Sequence, residues 1–326
     1  MAPSIIVLGA GPAGLMAAIY AASSSRRVEI WSSKFPNDCC EMRLECVPAQ
    51  VIALLVETGV APAELGVSRL HNRRVVQWNS DPVYLDCPLT AHVSRPNLEK
   101  SLFTIASRIG IATRRVRFKS AEDITSLRDK GFEVIDATGR SSVTSSNRIR
   151  PAKPIVGRLF FFKGTWQPEF GIVGLSDGYA YRLANDHGLL VGVVGYGALI
   201  KQTWLELVGQ LARSANWFCQ DLARVSPNSV WSGVTTAQMT EPSDQIHSIG
   251  DALFARDILA SQGLVAALTM GAKVGTKYLN LAHDANQISV AHLNSTLSTV
   301  LESPFRDSPA WVDYCRFLGA NIAAAV

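Results

Sequence analysis

Three glycines near the N-terminus have the spacing G-x-G-x-x-G, at positions 9, 11 and 14. An apolar segment, residues 4–10, precedes them, an apolar helical pattern follows, and a second apolar segment covers residues 27–31. This order predicts a β-α-β unit within about 30 residues, the context in which the glycine pattern has meaning. There the backbone approaches a pyrophosphate, and the helix N-terminus offers free N–H groups and a positive dipole end. The sequence therefore predicts a dinucleotide site that contains Gly9, Gly11, Pro12, Ala13 and Gly14.

The end of the second predicted strand lacks the acidic residue that a dinucleotide fold usually places there. Asp or Glu in that position accepts hydrogen bonds from the ribose hydroxyls. Here the residues are Ser32, Ser33 and Lys34. This segment suits the 2′-phosphate of NADP, so an NADP-dependent dehydrogenase is one interpretation. It accounts for only the first 34 of 326 residues.

Two later segments favour a flavin. Residues 135–142, IDATGRSS, predict a strand end followed by a turn of small residues. Residues 248–264 predict a strand that ends at Gly250 and Asp251 and a helix that begins at Gly263 and Leu264. The carboxylate of Asp251 can accept hydrogen bonds from a ribityl chain, and the helix N-terminus can direct N–H groups at the flavin C2 carbonyl. A nicotinamide cofactor needs neither feature.

Four segments together resemble the FAD-dependent class A monooxygenases, in the branch that contains the flavin-dependent halogenases: residues 9–14, 93–102, 135–142 and 250–264. The resemblance implies FAD as the cofactor and an α/β fold. That fold is a Rossmann-like FAD-binding domain of the class A monooxygenase (GR2) type, with an inserted antiparallel β-sheet substrate domain and a helical C-terminus. By position it places these residues at the cofactor: Gly9, Gly11, Pro12, Ala13, Gly14, Ser32, Arg43, Arg95, Thr138, Gly139, Gly250, Asp251, Gln262, Gly263 and Leu264.

Several positions have implied roles or depart from the family pattern. Arg95 is placed at the phosphate or ribityl region of FAD, and Ser32 at the adenosine ribose in place of the usual acid. Thr138 stands where many members carry Asp, and Ile258 stands where the family usually has Pro after Asp257. These departures imply a weaker adenosine contact and a looser loop beside the flavin.

Residues 45–60 and 255–264 look like those of a smaller subgroup, the flavoproteins that mature tryptophylquinone enzymes such as glycine oxidase and lysine oxidase. This resemblance implies a monooxygenase that hydroxylates a Trp side chain of a client protein, with O₂ as co-substrate and NAD(P)H or a separate flavin reductase as the electron source. Halogenation is disfavoured, because the sequence offers Arg73 and Arg74 where tryptophan halogenases supply a lysine. The alternatives are a halogenase, a hydroxylase of an aromatic small molecule, an NADP-dependent dehydrogenase and a non-catalytic FAD-bound maturation partner.

Five side chains are candidates for catalysis, each with an ordinary structural alternative. Arg43 and Glu45 precede a predicted helix that the resemblance places near the flavin; they also suit a charge pair at a helix start. Tyr179 and Tyr181 alternate on a predicted strand, so both point to the same side and form either a substrate wall or ordinary sheet packing. Asp257 lines the loop before a predicted helix or caps a turn.

The strand and helix patterns predict a discontinuous architecture. Residues 1–80, 93–150 and 240–285 form the FAD-binding domain, residues 81–92 and 151–239 the antiparallel sheet domain, and residues 286–326 the C-terminal helices. One helix is predicted over residues 201–223. Another, over residues 95–110, has an apolar face made of Leu98, Leu102, Ile105, Ala106 and Ile109.

Composition narrows the possible partners, the location and the metal content of the protein. The net charge of +4 is spread along the chain, so no nucleic-acid partner is expected. The six cysteines form no CxxC pair and the six histidines no ligand-spaced cluster, which predicts reduced thiols, a cytoplasmic protein and no metal site. No uninterrupted apolar run approaches the ~20 residues of a spanning helix, so no membrane partner is expected.

Overall fold

The computed structural model describes residues 4–24, 26–38, 43–67, 69–78, 81–118, 121–143, 148–166, 169–219, 221–222, 225–234, 238–240, 246–255, 263–276 and 281–325. Two predicted site residues, Asp257 and Gln262, lie outside this set, as does Ile258.

The described strands, in chain order, are β1 (Ile5–Leu8), β2 (Val28–Ser32), β3 (Leu44–Pro48), β4 (His71–Gln77), β5 (Val83–Ser94), β6 (Ala112–Arg115), β7 (Glu133–Asp136), β8 (Arg148–Ile149), β9 (Val156–Lys163), β10 (Phe170–Leu175), β11 (Gly178–Asn185), β12 (Gly188–Gly195), β13 (Ser229–Val234), β14 (Gln238–Thr240), β15 (His247–Ser248) and β16 (Phe254–Ala255). The described helices are α1 (Pro12–Ser23), α2 (Ala49–Thr58), α3 (Arg95–Arg108), α4 (Ala121–Asp129), α5 (Gly197–Lys201), α6 (Trp204–Ser214), α7 (Asn216–Cys219), α8 (Gly263–Thr276), α9 (Leu281–Glu302) and α10 (Pro309–Ala325).

The first sheet is parallel, with the strand order β15-β7-β1-β2-β6. Strand β1 pairs with β2 on one side and with β7 on the other, and α1 connects β1 to β2. The predicted β-α-β unit is therefore confirmed. Strands of a parallel sheet end at one edge, where ligands of such folds bind. Gly9 and Ala137 directly follow β1 and β7 at that edge.

Helices α1, α3 and α8 pack together beside this sheet. The apolar face predicted for α3 is buried at Leu98, Leu102, Ile105 and Ala106, but Ile109 is 48% exposed. The prediction was wrong for Ile109, which is the C-cap residue of α3: the packing that buries the other four side chains stops before the end of the helix. Helix α4 covers a smaller apolar cluster on the opposite side of β1 and β7.

The second sheet has eight strands in the order β13-β9-β12-β11-β10-β4-β5-β3. The pairs are antiparallel, as predicted for the middle of the chain, except that β4 and β10 run parallel. Strands β3 and β4 belong to this sheet, although the predicted domain boundaries assign residues 1–80 to the FAD-binding domain. The boundaries stay a prediction; the pairing shows that β3 extends the sheet toward the dinucleotide edge.

The two faces of the second sheet pack against different partners, since side chains alternate along each strand. Tyr179, Tyr181 and Leu183 point into the core shared with the parallel sheet. Phe160 and Phe162 point to the other face, where each ring centroid lies 4.9 Å from Trp204 of α6.

Helix α6 begins with a capping box and belongs to a set of three short helices. The Thr203 side chain accepts a hydrogen bond from the Glu206 backbone N–H, and the Glu206 side chain accepts one from Thr203. Two helices, α6 and α7, therefore replace the single helix predicted over residues 201–223, and α5 ends where that prediction begins, at Lys201. Thr203 starts a new helix, and Ala215, at φ −155°, leaves the helical conformation at its end.

Strands β8, β14 and β16 form a small third sheet, and α9 and α10 pack on each other near the C-terminus. Phe305 and Trp311, from the end of the chain, are buried against the second sheet. Among the described helices, none has both the length and the apolar character that crossing a membrane requires.

Candidate functional site

Two cavities adjoin at the dinucleotide edge of the parallel sheet. The first has a volume of about 540 Å³ and lies between this edge and the second sheet. The other has a volume of about 530 Å³ and lies over the ends of β1 and β2. Gly11, Ala137 and Gly139 line both cavities, so the two meet at the start of α1. An elongated ligand can therefore occupy both and cross the helix N-terminus between them.

The three predicted glycines have different surroundings. A Cβ atom on Gly9 would lie 2.4 Å from the Ala137 carbonyl oxygen, and one on Gly14 would lie 2.1 Å from the Gly9 carbonyl oxygen. These two positions allow the strand, the turn and the helix to pack closely. A Cβ on Gly11, in contrast, would have no atom within 4 Å, because it would point into the space between the two cavities. Gly11 is the glycine that leaves room for a ligand.

The second cavity contains Ser32 together with an acid that the sequence did not indicate. The Ser32 hydroxyl donates a hydrogen bond to the Lys34 carbonyl oxygen at 2.6 Å, so it is partly engaged within its own turn. Among the described lining residues, Glu99 of α3 is the carboxylate, and Trp31 and Phe118 supply stacked aromatic rings. A carboxylate is therefore present in the cavity over the end of β2, although it comes from α3.

Thr138 and Gly139 form the turn after β7. The buried Asp136 carboxylate accepts hydrogen bonds from the Thr138 backbone N–H at 2.9 Å and from its hydroxyl at 2.6 Å. The Thr138 hydroxyl also accepts one from the Val143 backbone N–H at 3.1 Å. Thr138 thus holds the turn, while Gly139, at φ +68°, adopts the left-handed backbone that this turn requires.

Arg95 lies between two carboxylates at the boundary of the cavities. Its Nε donates to Glu99 Oε1 at 2.5 Å, and one terminal nitrogen donates to Glu45 Oε1 at 3.2 Å. Glu99 lies one helical turn from Arg95, whereas β3 brings Glu45 from a distant segment. Burial raises the pKa of Glu45, although Arg95 and Arg43 act in the opposite direction. A carboxyl group that holds its proton more readily than usual therefore faces the first cavity.

Asp251 lies beside the N-terminus of α8, in the first cavity. Gly250, at φ +58°, makes the turn that directs the chain past Ala13 of α1. Arg148 donates hydrogen bonds to the backbone carbonyls of Asp251 and Ala252, and Arg140 approaches the Asp251 carboxylate at 3.7 Å. Gly263 and Leu264 also line this cavity, so the predicted group of Asp251 and the start of α8 is brought together.

Another part of the first cavity's wall is apolar and aromatic, while Arg150 and Gln238 add polar groups. The apolar part contains Leu159, Tyr181, Leu183, Leu190 and Trp231, with the guanidinium of Arg43 at 4.4 Å from the Trp231 ring centroid. The Tyr181 ring lies on its cross-strand neighbour Gly192, where a Cβ would be 2.2 Å from the ring. Burial raises the pKa of Tyr181, so its phenol stays protonated.

Tyr179 is not among the lining residues of either described cavity. It shares a sheet face with Tyr181, as predicted, but it is only 2% exposed and its ring stacks on Phe305 at 6.0 Å. The two-residue offset moves it about 7 Å along the strand, to where the C-terminal segment covers the sheet. Tyr181 alone of this pair can contact a molecule in the cavity.

Four residues at or beside the cavities were not predicted from the sequence: Glu99, Arg140, Arg148 and Trp231. Only Glu99 carried a usable signal, its i,i+4 spacing from Arg95 on a predicted helix. Arg140 lies in the 135–142 segment, but its type gave no signal of a contact with Asp251. Arg148 and Trp231 come from segments with no recognisable motif: pairing of β8 places Arg148 beside the Asp251 backbone, and pairing of β13 brings Trp231 to the first cavity.

No protein-family model and no curated protein matches this sequence. Among solved structures, however, the chain has the fold of flavin-dependent halogenases, as the sequence resemblance implied. A flavin-dependent brominase matches with a TM-score of 0.70 at 14% identity, over 97% of this chain and 93% of the brominase. A flavin-dependent halogenase from Xanthomonas campestris matches with a TM-score of 0.72 at 10% identity, over 96% of this chain and 80% of the halogenase.

The peptidyl tryptophan dihydroxylase QhpG, which is essential for tryptophylquinone cofactor biogenesis, has the same fold. It matches with a TM-score of 0.61 at 18% identity, over 100% of this chain and 73% of QhpG. The predicted fold class is confirmed: a parallel dinucleotide-type sheet, a largely antiparallel second sheet and C-terminal helices.

The residues of the two cavities fit FAD. The space beside Gly11 has the position of a pyrophosphate at a helix N-terminus. On one side of it lies a cavity with Ser32, Glu99 and aromatic rings, and on the other a cavity with Asp251 and the N-terminus of α8. A nicotinamide dinucleotide accounts for the second cavity, with Ser32 and Glu99, without explaining why the first cavity also opens onto the N-terminus of α8.

Replacing Asp251 by Ala is expected to weaken FAD binding by ~10–100-fold, because a hydrogen bond to a charged group contributes about 1.5–3 kcal/mol. Asp251→Asn, which keeps one acceptor oxygen, should lose less. Titration of the apoprotein with FAD, followed by flavin fluorescence, measures both. Unchanged affinity in Asp251→Ala would show that the carboxylate faces Arg140 without serving the ligand.

Proposed function

We propose that this chain is an FAD-dependent oxidoreductase that oxygenates an aromatic ring, and that the ring is a Trp side chain of a partner protein. The observation that carries the proposal is the first cavity, a chamber with one apolar and aromatic wall that opens directly onto the FAD-type cradle at Gly11. When FAD is bound, the cofactor supplies the oxygen activation that amino acid side chains cannot. O₂ is the co-substrate, and NAD(P)H or a flavin reductase is the source of electrons.

The protein's part is to hold the cofactor and the ring. Gly11, Pro12 and Ala13 would bind the pyrophosphate, and Ser32 and Glu99 would hold the adenosine ribose. Asp251 with the start of α8 would hold the ribityl and flavin part. The leucines of the chamber, Leu159, Leu183 and Leu190, exclude water from the reacting ring.

Two observations favour oxygenation over halogenation. Tryptophan halogenases use a lysine next to the substrate, and the described residues that line the first cavity include arginines but no lysine. A peptidyl tryptophan dihydroxylase shares this fold, which supports a Trp within a protein as a target that the fold can oxygenate. An aromatic small molecule is the second candidate, since the chamber walls suit either.

Glu45 is the residue best placed to manage a proton. Its carboxylate would accept the proton that the ring carbon loses when oxygen is attached, with Arg95 keeping the carboxylate oriented. Glu45→Gln is expected to lower turnover by ~10²–10⁴-fold. Flavin content should stay unchanged, because Glu99 still pairs with Arg95.

The pH dependence follows from the raised pKa of Glu45. Turnover should fall with decreasing pH already above the usual Glu range, and Glu45→Gln should lack this limb of the profile. Because the folded-state pKa exceeds the unfolded value, the wild type should also lose stability relative to Glu45→Gln as the pH rises through that folded-state pKa. Equal profiles for the two proteins would remove Glu45 from the mechanism.

The first test is an anaerobic visible spectrum of the purified protein before and after addition of NADPH. Flavin bands that bleach indicate direct reduction, and bands that persist indicate a separate reductase or a required client. Absence of flavin after incubation with FAD, with NADPH binding instead, would overturn the proposal in favour of an NADP-dependent dehydrogenase.

The second test uses the reduced holoprotein with O₂, chloride and bromide, and either a Trp-containing peptide set or free indoles. Mass spectrometry distinguishes gain of oxygen from gain of halogen. Oxygenated Trp in a peptide supports the full proposal. A halogenated product, or flavin reoxidation with no product in any mixture, would contradict it and leave the halogenase or the non-catalytic partner.

A further inference from the structure

Strand register brings together three side chains that are distant in the sequence. Cys46 of β3 pairs with His92 of β5, and His71 of β4 pairs with Thr90, two residues from His92 on the same face of β5. The cysteine sulfur and one nitrogen from each histidine all lie within 4.8 Å of one another. No metal site was predicted from the sequence, because the three ligands lie on three different strands and have no ligand spacing within any single segment.

Each histidine has one ring nitrogen bound and the other bare. His92 Nδ1 donates a hydrogen bond to the Ala184 carbonyl oxygen at 2.7 Å, which leaves Nε2 as an acceptor without a partner. His71 Nε2 lies 2.9 Å from the Thr90 hydroxyl, and its Nδ1 has no partner. His92 is only 3% exposed, so its unpartnered nitrogen has no contact with solvent either. A buried unpartnered acceptor is costly unless something occupies it.

This hydrogen-bonding pattern is the one that metal-bound histidines show. A ligating imidazole usually donates its other N–H to a carbonyl or a similar group, which fixes the tautomer and directs the bare nitrogen at the ion. Both histidines here are held by groups of the surrounding sheet, each retains an unpartnered ring nitrogen, and both belong to the same cluster as the thiol.

We propose that Cys46, His71 and His92 form a binding site for a soft or borderline transition-metal ion, Zn²⁺ or Cu⁺. One thiolate and two imidazoles are ligands that these ions prefer, and hard ions such as Mg²⁺ and Ca²⁺ require oxygen ligands that the cluster lacks. Cu⁺ needs no further ligand, and with one thiolate it forms an uncharged site that suits burial. Zn²⁺ would take a water molecule as its fourth ligand.

The ion would fasten β3, β4 and β5 to one another behind the proposed reaction chamber. Cys46 is adjacent to Glu45 and itself lines the first cavity, so the site has a route to solvent and lies next to the reacting region. Its role is to fix β3, the strand that positions Arg43, Glu45 and the cavity wall. None of the three ligands lies in the pyrophosphate cradle at Gly11, and Cys46 is the one that also lines the first cavity.

The test measures metal binding by the full-length protein after chelator treatment under anaerobic, reducing conditions. Equilibrium dialysis with Zn²⁺, or with Cu⁺ buffered by a competing chelator, is followed by elemental analysis. We expect one ion per chain in the wild type and a rise in melting temperature. Cys46→Ser should weaken binding by more than the ~10–100-fold that loss of a hydrogen bond to a ligand costs.

Cys315→Ser is the matched control, because Cys315 is a free thiol of α10 outside the cluster and its loss should leave binding unchanged. Should Cys46→Ser fail to fold, Co²⁺ binding to the wild type gives an independent answer. A sulfur-to-cobalt charge-transfer band with tetrahedral ligand-field bands supports the site. Binding of neither ion above the Cys46→Ser level, or a Co²⁺ spectrum without a sulfur ligand, would overturn it.

Discussion

Gly11→Val is expected to yield a folded protein that does not bind its dinucleotide. The backbone of Gly11, with φ −81° and ψ 179°, is an extended conformation that any residue adopts. A Cβ there meets no atom within 4 Å, so the protein itself has room for the side chain. The room that valine fills is the space between the two cavities, which a pyrophosphate would need.

The expected loss of FAD affinity is ~100-fold or more, since forcing methyl groups into an occupied space costs about 1–3 kcal/mol and the phosphates also lose their approach to the backbone. Stability should fall by at most about 1 kcal/mol, because valine is a poorer N-cap residue than glycine. Flavin titration and thermal unfolding of the apoprotein separate the two effects.

Gly14→Ala is the contrasting control for this experiment. Its Cβ would lie 2.1 Å from the Gly9 carbonyl oxygen, so it should destabilise the apoprotein itself. If Gly11→Val bound FAD with full affinity, the cradle would lie elsewhere. If it unfolded like Gly14→Ala, the space at Gly11 would belong to the core and not to a ligand.

The second large effect is expected at Gly271, where α8 crosses α1. A Cβ at Gly271 would lie 2.5 Å from the Ala13 carbonyl oxygen, 2.8 Å from Met16 Cβ and 3.2 Å from the Ala17 nitrogen. Two of these atoms are backbone and cannot rotate away. Gly271→Ala should therefore push α8 off α1, with a net destabilisation of ~2 kcal/mol despite the gain of about 1 kcal/mol in helix propensity.

This substitution should also reduce FAD binding from a distance. The N-terminus of α1 and the N-terminus of α8 both line the first cavity, and the close contact at Gly271 helps to set their separation. Denaturant unfolding of the apoprotein gives the stability change, and bound flavin per chain gives the functional change.

Gly319→Ala is the matched control for Gly271→Ala. Gly319 also lies within a helix, α10, but a Cβ there meets nothing within 4 Å. It should stabilise the protein by up to about 1 kcal/mol through helix propensity alone. Equal effects of the two substitutions would show that α1 and α8 are not in close contact.

The sequence by itself determined the local parts of this protein. The glycine spacing and the apolar segments around it predicted the β-α-β unit, because each glycine's role depends on neighbours a few residues away. The strand patterns of the middle third predicted antiparallel strands, and the apolar face of residues 95–110 predicted α3. Boundaries were less well determined, as Ile109 and the split of residues 201–223 show.

The tertiary structure alone decided which distant residues meet. Strand pairing and sheet curvature placed Tyr181 in the chamber and Tyr179 under Phe305, though both lie on one face of one strand. The same pairing delivered Trp231 to the cavity and joined Cys46, His71 and His92. Such contacts have no signal in local spacing, because they depend on register between strands far apart in the chain.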